Sequence, residues 1–216
     1  MSVTDLATQV ADELFWDPKV DSGAIAVTAH GGTVTLRGTV GSFRERREAK
    51  KAAERVYGVS EVEDDLQVRL MTDARRADAD LRGDVLKALS LDGFVPSTVD
   101  VTVDDGHVTL TGTAEWQYQR EEAEFVAANI LGVTGITDEI ELTGPAPSAG
   151  EVKDDIERAF KRNAKVDAKA ISVETSNGTV KLTGTVRSWA EHDEAIDAAW
   201  AAPGVRDVDD HIFVLY

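Results

Sequence analysis

Three stretches of the sequence lie over one another: Val34-Thr-Leu-Arg-Gly-Thr-Val40, Val108-Thr-Leu-Thr-Gly-Thr-Ala114 and Val180-Lys-Leu-Thr-Gly-Thr-Val186. Their glycines, Gly38, Gly112 and Gly184, stand 74 and then 72 residues apart. The same two spacings relate Gly58-Val59, Gly132-Val133 and Gly204-Val205. They also relate Glu48-Ala49, Glu122-Ala123 and Glu194-Ala195, and then Leu66, Ile140 and Ile212. A chain patterned this way folds as three copies of one unit. Its period exceeds the ~50-residue range of solenoid repeats, so each unit holds its own small core, although units of ~60–75 residues are marginal alone. The joints are visible: residues 71–78 lack strand character, and residues 143–150 form a Pro/Gly/Ala/Ser linker. Domains are predicted at 1–72, 73–146 and 147–216.

Each unit opens on an amphipathic helix. Leu6, Val10 and Leu14 recur at helical spacing in the first, and Val152, Ile156, Ala159 and Phe160 in the third, where Ser148 and Glu151 form a capping-box pattern. Two strands follow. Ile25, Val27 and Ala29 alternate with polar neighbours, as do Val34, Leu36 and Gly38. Between them stand His30-Gly-Gly, Asp104-Asp-Gly and Ser176-Asn-Gly, which are two-residue hairpin signals, so the two strands are antiparallel. A second helix starts after the Gly-Thr step. Ser42 with Glu45 and Ser188 with Glu191 match a capping box, whereas Thr113 with Trp116 does not. It ends at Gly58, Gly132 and Gly204, suited to a left-handed cap, and a last strand completes the unit. The predicted class is α+β: three tandem α-β-β-α-β domains, each a three-stranded sheet with two helices on one face.

Composition narrows the chemistry. The 216 residues are 42% hydrophobic and 29% charged, apolar enough for packed cores. A formal net charge of -17 makes a poor general binder of nucleic acid or anionic membrane, because phosphate binding needs positive charge on the protein. With no cysteine there are no disulfides, thiol chemistry or cysteine–zinc sites. The four histidines, His30, His107, His192 and His211, show no ligating spacing, and His192 and His211 read as surface positions; no metal and no cofactor are expected. The N-terminal residues lack the basic start and apolar run of a secretory signal, and no apolar run approaches the ~18 residues of a membrane span. The expected compartment is the cytoplasm. A chain whose signal had been removed would read the same, which leaves the periplasm open.

The hairpin followed by V-x-L-x-G-x-V, a helix, Gly-Val and a short apolar strand resembles the BON (bacterial OsmY and nodulation) domain, three times over. The resemblance implies an α-β-β-α-β binding module whose three-stranded sheet is mixed, often in envelope or osmotic-stress proteins and thought to contact phospholipid or other surfaces. It brings no catalytic residues. Some cytoplasmic relatives sense small ions, which supplies an alternative: an ion or ligand sensor using oxygen-rich loops.

The strongest candidate surface is basic. Arg44, Arg46, Arg47, Lys50, Lys51 and Arg55 lie on the second helix of the first unit, diluted by Glu45, Glu48 and Glu54. They could meet anionic lipid; a helix face laced with ion pairs is the favoured reading, and docking onto the acidic second unit of this or another chain is a further option. Gly38, Gly112, Gly184, Gly58, Gly132 and Gly204 read as structural. The acidic clusters Glu61, Glu63, Asp64, Asp65; Asp138, Glu139; and Asp207, Asp209, Asp210 read as a solvated face ahead of a cation site. Phe43, Trp116 and Trp189, near the start of the second helices, read as staples to the hairpin ahead of a partner surface. No nucleophile–base pair, phosphate loop or paired catalytic carboxylates stand out, so an enzyme is not expected.

Overall fold

The computed structural model describes residues 3–70, 76–144, 149–163 and 166–216. The first repeat runs α1 (Val3–Trp16), β1 (Ile25–His30), β2 (Thr33–Val40), α2 (Phe43–Glu54), β3 (Glu61–Val68). The second runs α3 (Asp78–Leu91), β4 (Asp100–Asp104), β5 (His107–Ala114), α4 (Gln117–Ala128), β6 (Gly135–Leu142). The third runs α5 (Ala149–Arg162), β7 (Ile171–Ser176), β8 (Thr179–Val186), α6 (Trp189–Trp200), β9 (Asp207–Val214). Each repeat forms one three-stranded sheet with the second of its strands in the middle. The hairpin pairs are antiparallel. The last strand returns parallel to the middle one, as β2 with β3 and β8 with β9 show. The expected α+β class therefore holds in all three copies. The chain forms two compact units, Met1–Thr113 with Tyr118–Ile140, and Ala114–Gln117 with Glu141–Tyr216.

Both helices of a repeat lie on one sheet face, because only that face is apolar. Val34 and Leu36 on β2 are fully buried beneath Leu6, Val10 and Leu14 of α1. The third repeat repeats this with Val180 and Leu182 beneath Val152, Ile156 and Phe160. The second helix turns small residues inward: Ala49, Ala52 and Ala53 on α2, and Ala123, Ala127 and Ala128 on α4. Alanine lets the helix axis approach the sheet closely while still removing apolar surface from water. On the opposite face of the first sheet, Thr33 and Thr35 hydroxyls donate to Glu61 and Glu63 at 3.0 and 2.8 Å, and Arg37 pairs with Asp65 at 3.1 Å. These exposed polar rungs keep that face wet.

The hairpin loops are Gly31-Gly32, Asp105-Gly106 and Asn177-Gly178. Both loop residues have positive φ in the second and third repeats, while in the first only Gly31 does. The first repeat thus makes the turn that needs one left-handed residue rather than two. Each loop is held from the side by the segment after the second helix, through Ser60, Thr134 and Arg206 amides donating to the Gly32, Gly106 and Gly178 carbonyls at 2.9, 2.9 and 2.8 Å.

The capping pattern at α2 and α6 forms with one change. Ser42 Oγ accepts from the Glu45 amide, and Ser188 Oγ from the Glu191 amide. The glutamate does not return to the serine's own amide. Glu45 accepts from Gly41 and Asp21 amides, both at 2.7 Å, and Glu191 from Arg187 and Asp167 amides, both at 2.9 Å. One carboxylate therefore ties the helix start to the segment that enters the first strand. The Ser148–Glu151 pattern lies outside the described residues.

The repeated glycine of the middle strand has a specific cause. Gly38, Gly112 and Gly184 have φ of +138, +120 and +155°. A Cβ there would lie 1.9, 2.2 and 2.1 Å from the carbonyl oxygens of Ala24, Thr98 and Ala170. The chain entering the first strand passes directly over the glycine, so backbone stands where a side chain would be. Gly112→Ala is expected to lower stability by at least about 1–3 kcal/mol, the scale of a forced backbone conformation. Gly83, mid-helix in α3 with nothing within 4 Å of its Cβ position, is the control: Gly83→Ala is expected to raise stability by about 0.5–1 kcal/mol. Chemical denaturation of the two variants measures both signs.

Candidate interaction surface

The six basic residues of α2 and its C-cap, Arg55, do not form one free face. Arg46 reaches down to the sheet: its Nε meets Asp64 Oδ2 at 2.8 Å and its Nη2 donates to the Asp64 carbonyl at 3.1 Å. Arg55 turns to α1, pairing with Glu13 at 3.0 Å and Asp17 at 2.6 Å. The Asp17 carboxyl is held below its usual range, first by the Lys19 amide and then by Arg55, and the hydrogen bond that Arg55 donates to Asp17 is the largest influence raising Arg55 in turn. Lys50 lies 3.8 Å from Glu54 on its own helix, and Lys51 is exposed. Arg44 and Arg47 point to the second repeat. Arg47 pairs with Glu124 at 3.1 Å, and Arg44 hydrogen-bonds Asn129 while its guanidinium sits 5.3 Å from the centre of the Phe125 ring. That contact joins α2 to α4 inside the first compact unit.

Arg46 belongs to a set that recurs in every repeat. Arg120 Nε meets Asp138 Oδ2 at 3.0 Å, and His192 Nε2 meets Asp210 Oδ2 at 2.8 Å. In each case the second helix supplies the base and the last strand the aspartate. The other aspartate oxygen accepts a backbone amide two residues on, from Leu66, Ile140 and Ile212 at 3.0, 2.9 and 2.9 Å. Asp64, Asp138 and Asp210 thus leave the acidic clusters and turn inward as one half of a helix-to-strand latch. A charge-assisted bond of this kind exceeds an exposed ion pair in strength, because its partners are shielded: Arg46 and Asp64 side chains keep 31% and 19% exposure.

A model of the BON domain matches the sequence three times, over residues 2–69, 77–144 and 148–215. The chain belongs to the BON domain family. Among curated relatives, it is 33% identical to osmotically-inducible protein Y of Escherichia coli over 133 residues, 54% of this chain and 62% of that one. It is 34% identical to a 21 kDa hemolysin of Actinobacillus pleuropneumoniae over 116 residues, 51% of this chain and 59% of that one. The chain therefore spans about three fifths of each relative's length. Among solved structures, CdsD, a structural protein of the type III secretion system of Chlamydia trachomatis, aligns at 15% identity over 98% of this chain and 92% of that one. Its TM-score is 0.28, too low to carry any argument.

Within the BON repeats, one residue is not where its sequence reading put it. His192 is buried, at 9% exposure, and not at the surface. It fills the place that Arg46 and Arg120 fill in the other two repeats, between α6 and β9. The signal was present in the spacings: 74 and 72 residues carry position 46 to 120 and then to 192. Periodicity in apolar residues does not reveal it, since the position alternates between arginine and histidine. His211 is exposed, paired with Asp209 at 2.9 Å.

The aromatic residues divide. Phe43, Trp116 and Trp189 are half-buried, and Trp189 packs on the third core. Exposed large apolar side chains stand elsewhere, among them Phe15 and Trp16 at the end of α1, Leu91 at the end of α3, Phe94 just beyond it and Tyr118 on α4; others, such as Tyr57, Leu131 and Phe213, are scattered over the three repeats. Phe15 meets Trp16 edge-on at 5.6 Å, and Phe94 meets Tyr118 edge-on at 6.1 Å. Trp16 remains 78% exposed. No helix among the described residues is long and apolar enough to cross a membrane, and no group of three or more His, Asp or Glu among them is arranged to hold a metal ion.

The basic residues should separate by role. Arg46→Ala strips the partner from the half-buried Asp64 carboxylate and is expected to cost about 1–3 kcal/mol. Lys51→Ala, at an exposed position, is expected to stay within about 0.5 kcal/mol of wild type. Urea midpoints of the two variants test this.

Proposed function

We propose that this BON protein is a non-catalytic, stress- or envelope-related binding module that contacts phospholipid surfaces through the exposed aromatic and aliphatic residues at the ends of its first helices. The observation that carries the reading is the pair of ring contacts left in solvent, Phe15 with Trp16 and Phe94 with Tyr118, beside Leu91. Apolar groups exposed together mark interaction surfaces, and aromatic rings suit a membrane interface, where one end is apolar and the other wet. Kinship with an osmotically inducible protein supports the stress-related part. The cytoplasmic placement gains no support from the relatives and is not carried forward.

The basic face of α2 is the secondary element. Four of its six residues, Arg44, Arg46, Arg47 and Arg55, engage other elements of the fold, which leaves Lys50 and Lys51 as the more available cations. With a net charge of -17, anionic lipid repels most of the surface, and neither it nor nucleic acid is the favoured partner. Repetition of weak sites along one chain raises avidity without a strong single site.

Co-sedimentation of the full chain with zwitterionic and anionic vesicles, at low and high salt, tests the reading. Binding to zwitterionic vesicles is expected to survive high salt and to fall several-fold in a Phe15→Ser/Trp16→Ser variant. A Lys50→Glu/Lys51→Glu variant is expected to change only binding to anionic vesicles. Absence of wild-type binding to either vesicle would overturn the proposal, as would binding that salt and the lysine variant abolish but the aromatic variant leaves intact. Thermal shifts with K⁺, Ca²⁺ or Mg²⁺ would favour the ion-sensor alternative in its place.

A further inference from the structure

The helix-to-strand latch is the same in geometry in all three repeats and different in chemistry in one. Arginine holds a positive charge at every pH a protein meets. The imidazole of His192 changes charge within the physiological range. Its surroundings make that change consequential. Nε2 lies 2.8 Å from Asp210 Oδ2 on β9, and Nδ1 lies 3.1 Å from Asp193 Oδ1 on α6. The ring also packs edge-on against Trp189 at 4.9 Å. Only the protonated ring can donate to both carboxylates, because a neutral imidazole carries one N–H and one lone pair. After deprotonation one of the two contacts sets a ring lone pair against a carboxylate, and that bond is lost from a ring whose side chain keeps only 11% exposure, although Asp193 and Asp210 retain 65% and 36%.

We propose that the third repeat carries a proton-dependent latch, in which protonated His192 clamps α6 to β9 through Asp193 and Asp210 and deprotonation loosens that repeat alone.

The other charged groups around the ring are engaged elsewhere. On α6, Glu191 caps the Arg187 and Asp167 amides, and Glu194 accepts from Asn163. On β9, Asp209 pairs with His211. On β8, the residue opposite Asp210 is the buried Leu182, and Lys181 stands opposite Asp209. On α5, Lys153 pairs with Glu157 and Arg158 with Asp155. Burial opposes protonation of His192, but the hydrogen bonds and charges of Asp193 and Asp210 together outweigh it, leaving the ring above its ordinary value of 6.5. The direction of the effect follows. A group whose folded-state pKa is raised contributes fully below the unfolded value, and the contribution is lost as pH climbs through the folded value. The third repeat is therefore firmest below 6.5 and loosens as pH climbs through the raised value of the His192 ring, while Arg46 and Arg120 keep their latches closed throughout.

Two measurements on the full chain decide it. In an NMR titration, the His192 ring is expected to titrate above 6.5, and Asp210→Asn is expected to lower that midpoint; a wild-type midpoint at or below 6.5 would overturn the proposal, whether or not any variant folds. In hydrogen exchange corrected for its intrinsic pH dependence, protection of α6 and β9 amides is expected to fall as pH rises above about 6.5, by roughly tenfold per unit of raised pKa. Amides of α4 and β6 serve as the internal reference. His192→Arg installs the base of the other repeats and is expected to remove the fall. Protection that does not change with pH in the wild type, or that falls equally in His192→Arg, would overturn it.

Discussion

Every repeat depends on its central strand. Val34 and Leu36, Val108 and Leu110, and Val180 and Leu182 are the most completely buried pair in each sheet, and the same strand bonds to both neighbours. Its two other features follow from that position. The first strand must enter over it, which requires Gly38, Gly112 and Gly184 to lack a side chain. The last strand must return parallel to it, which requires a helix to cross the sheet in between. A fold of this size has one apolar face to spend on two helices, and alanine on the second helix lets both fit.

The latch between the second helix and the last strand has a different role. It adds a directional bond where the helix meets a strand at the sheet edge, a place at which burial alone is incomplete. Asp64, Asp138 and Asp210 each serve two donors, a side chain on the helix and a backbone amide on their own strand. Two repeats fill it with arginine and one with histidine, so three copies of one architecture differ in whether the base can change charge within the physiological range. Duplication preserves the backbone geometry and leaves the side chain at the latch free to change.

The surface left over is uneven. The outer sheet face is polar, and the acidic residues there discourage a further strand from adding at the edge. The basic residues of α2 are largely turned inward or toward α4. Among the large apolar side chains left in solvent, Phe15 with Trp16 and Phe94 with Tyr118 are the ones in ring contact near the ends of α1 and α3. The corresponding helix of the third repeat, α5, carries Lys161 and Arg162 in its last turn.

From the sequence alone came the repeat, the element order and the antiparallel hairpins, because each rests on short-range signals: period-3.6 and period-2 apolar residues, Asp-Gly and Asn-Gly loops, and serine–glutamate caps; the mixed sheet came from the resemblance to the BON domain. Tertiary structure alone decided where the charges go. Whether Arg46 faces solvent, lipid or an aspartate eighteen residues away depends on how α2 lies across β3, which composition does not encode. Whether Arg47 meets Glu124 depends on the packing of two repeats. The same holds for His192, whose isolated position in the chain looks like that of any surface histidine. Apolar periodicity reports burial by transfer from water, a property of one residue at a time, whereas a buried charge is set by its partner, and the partner is brought to it only by the completed fold.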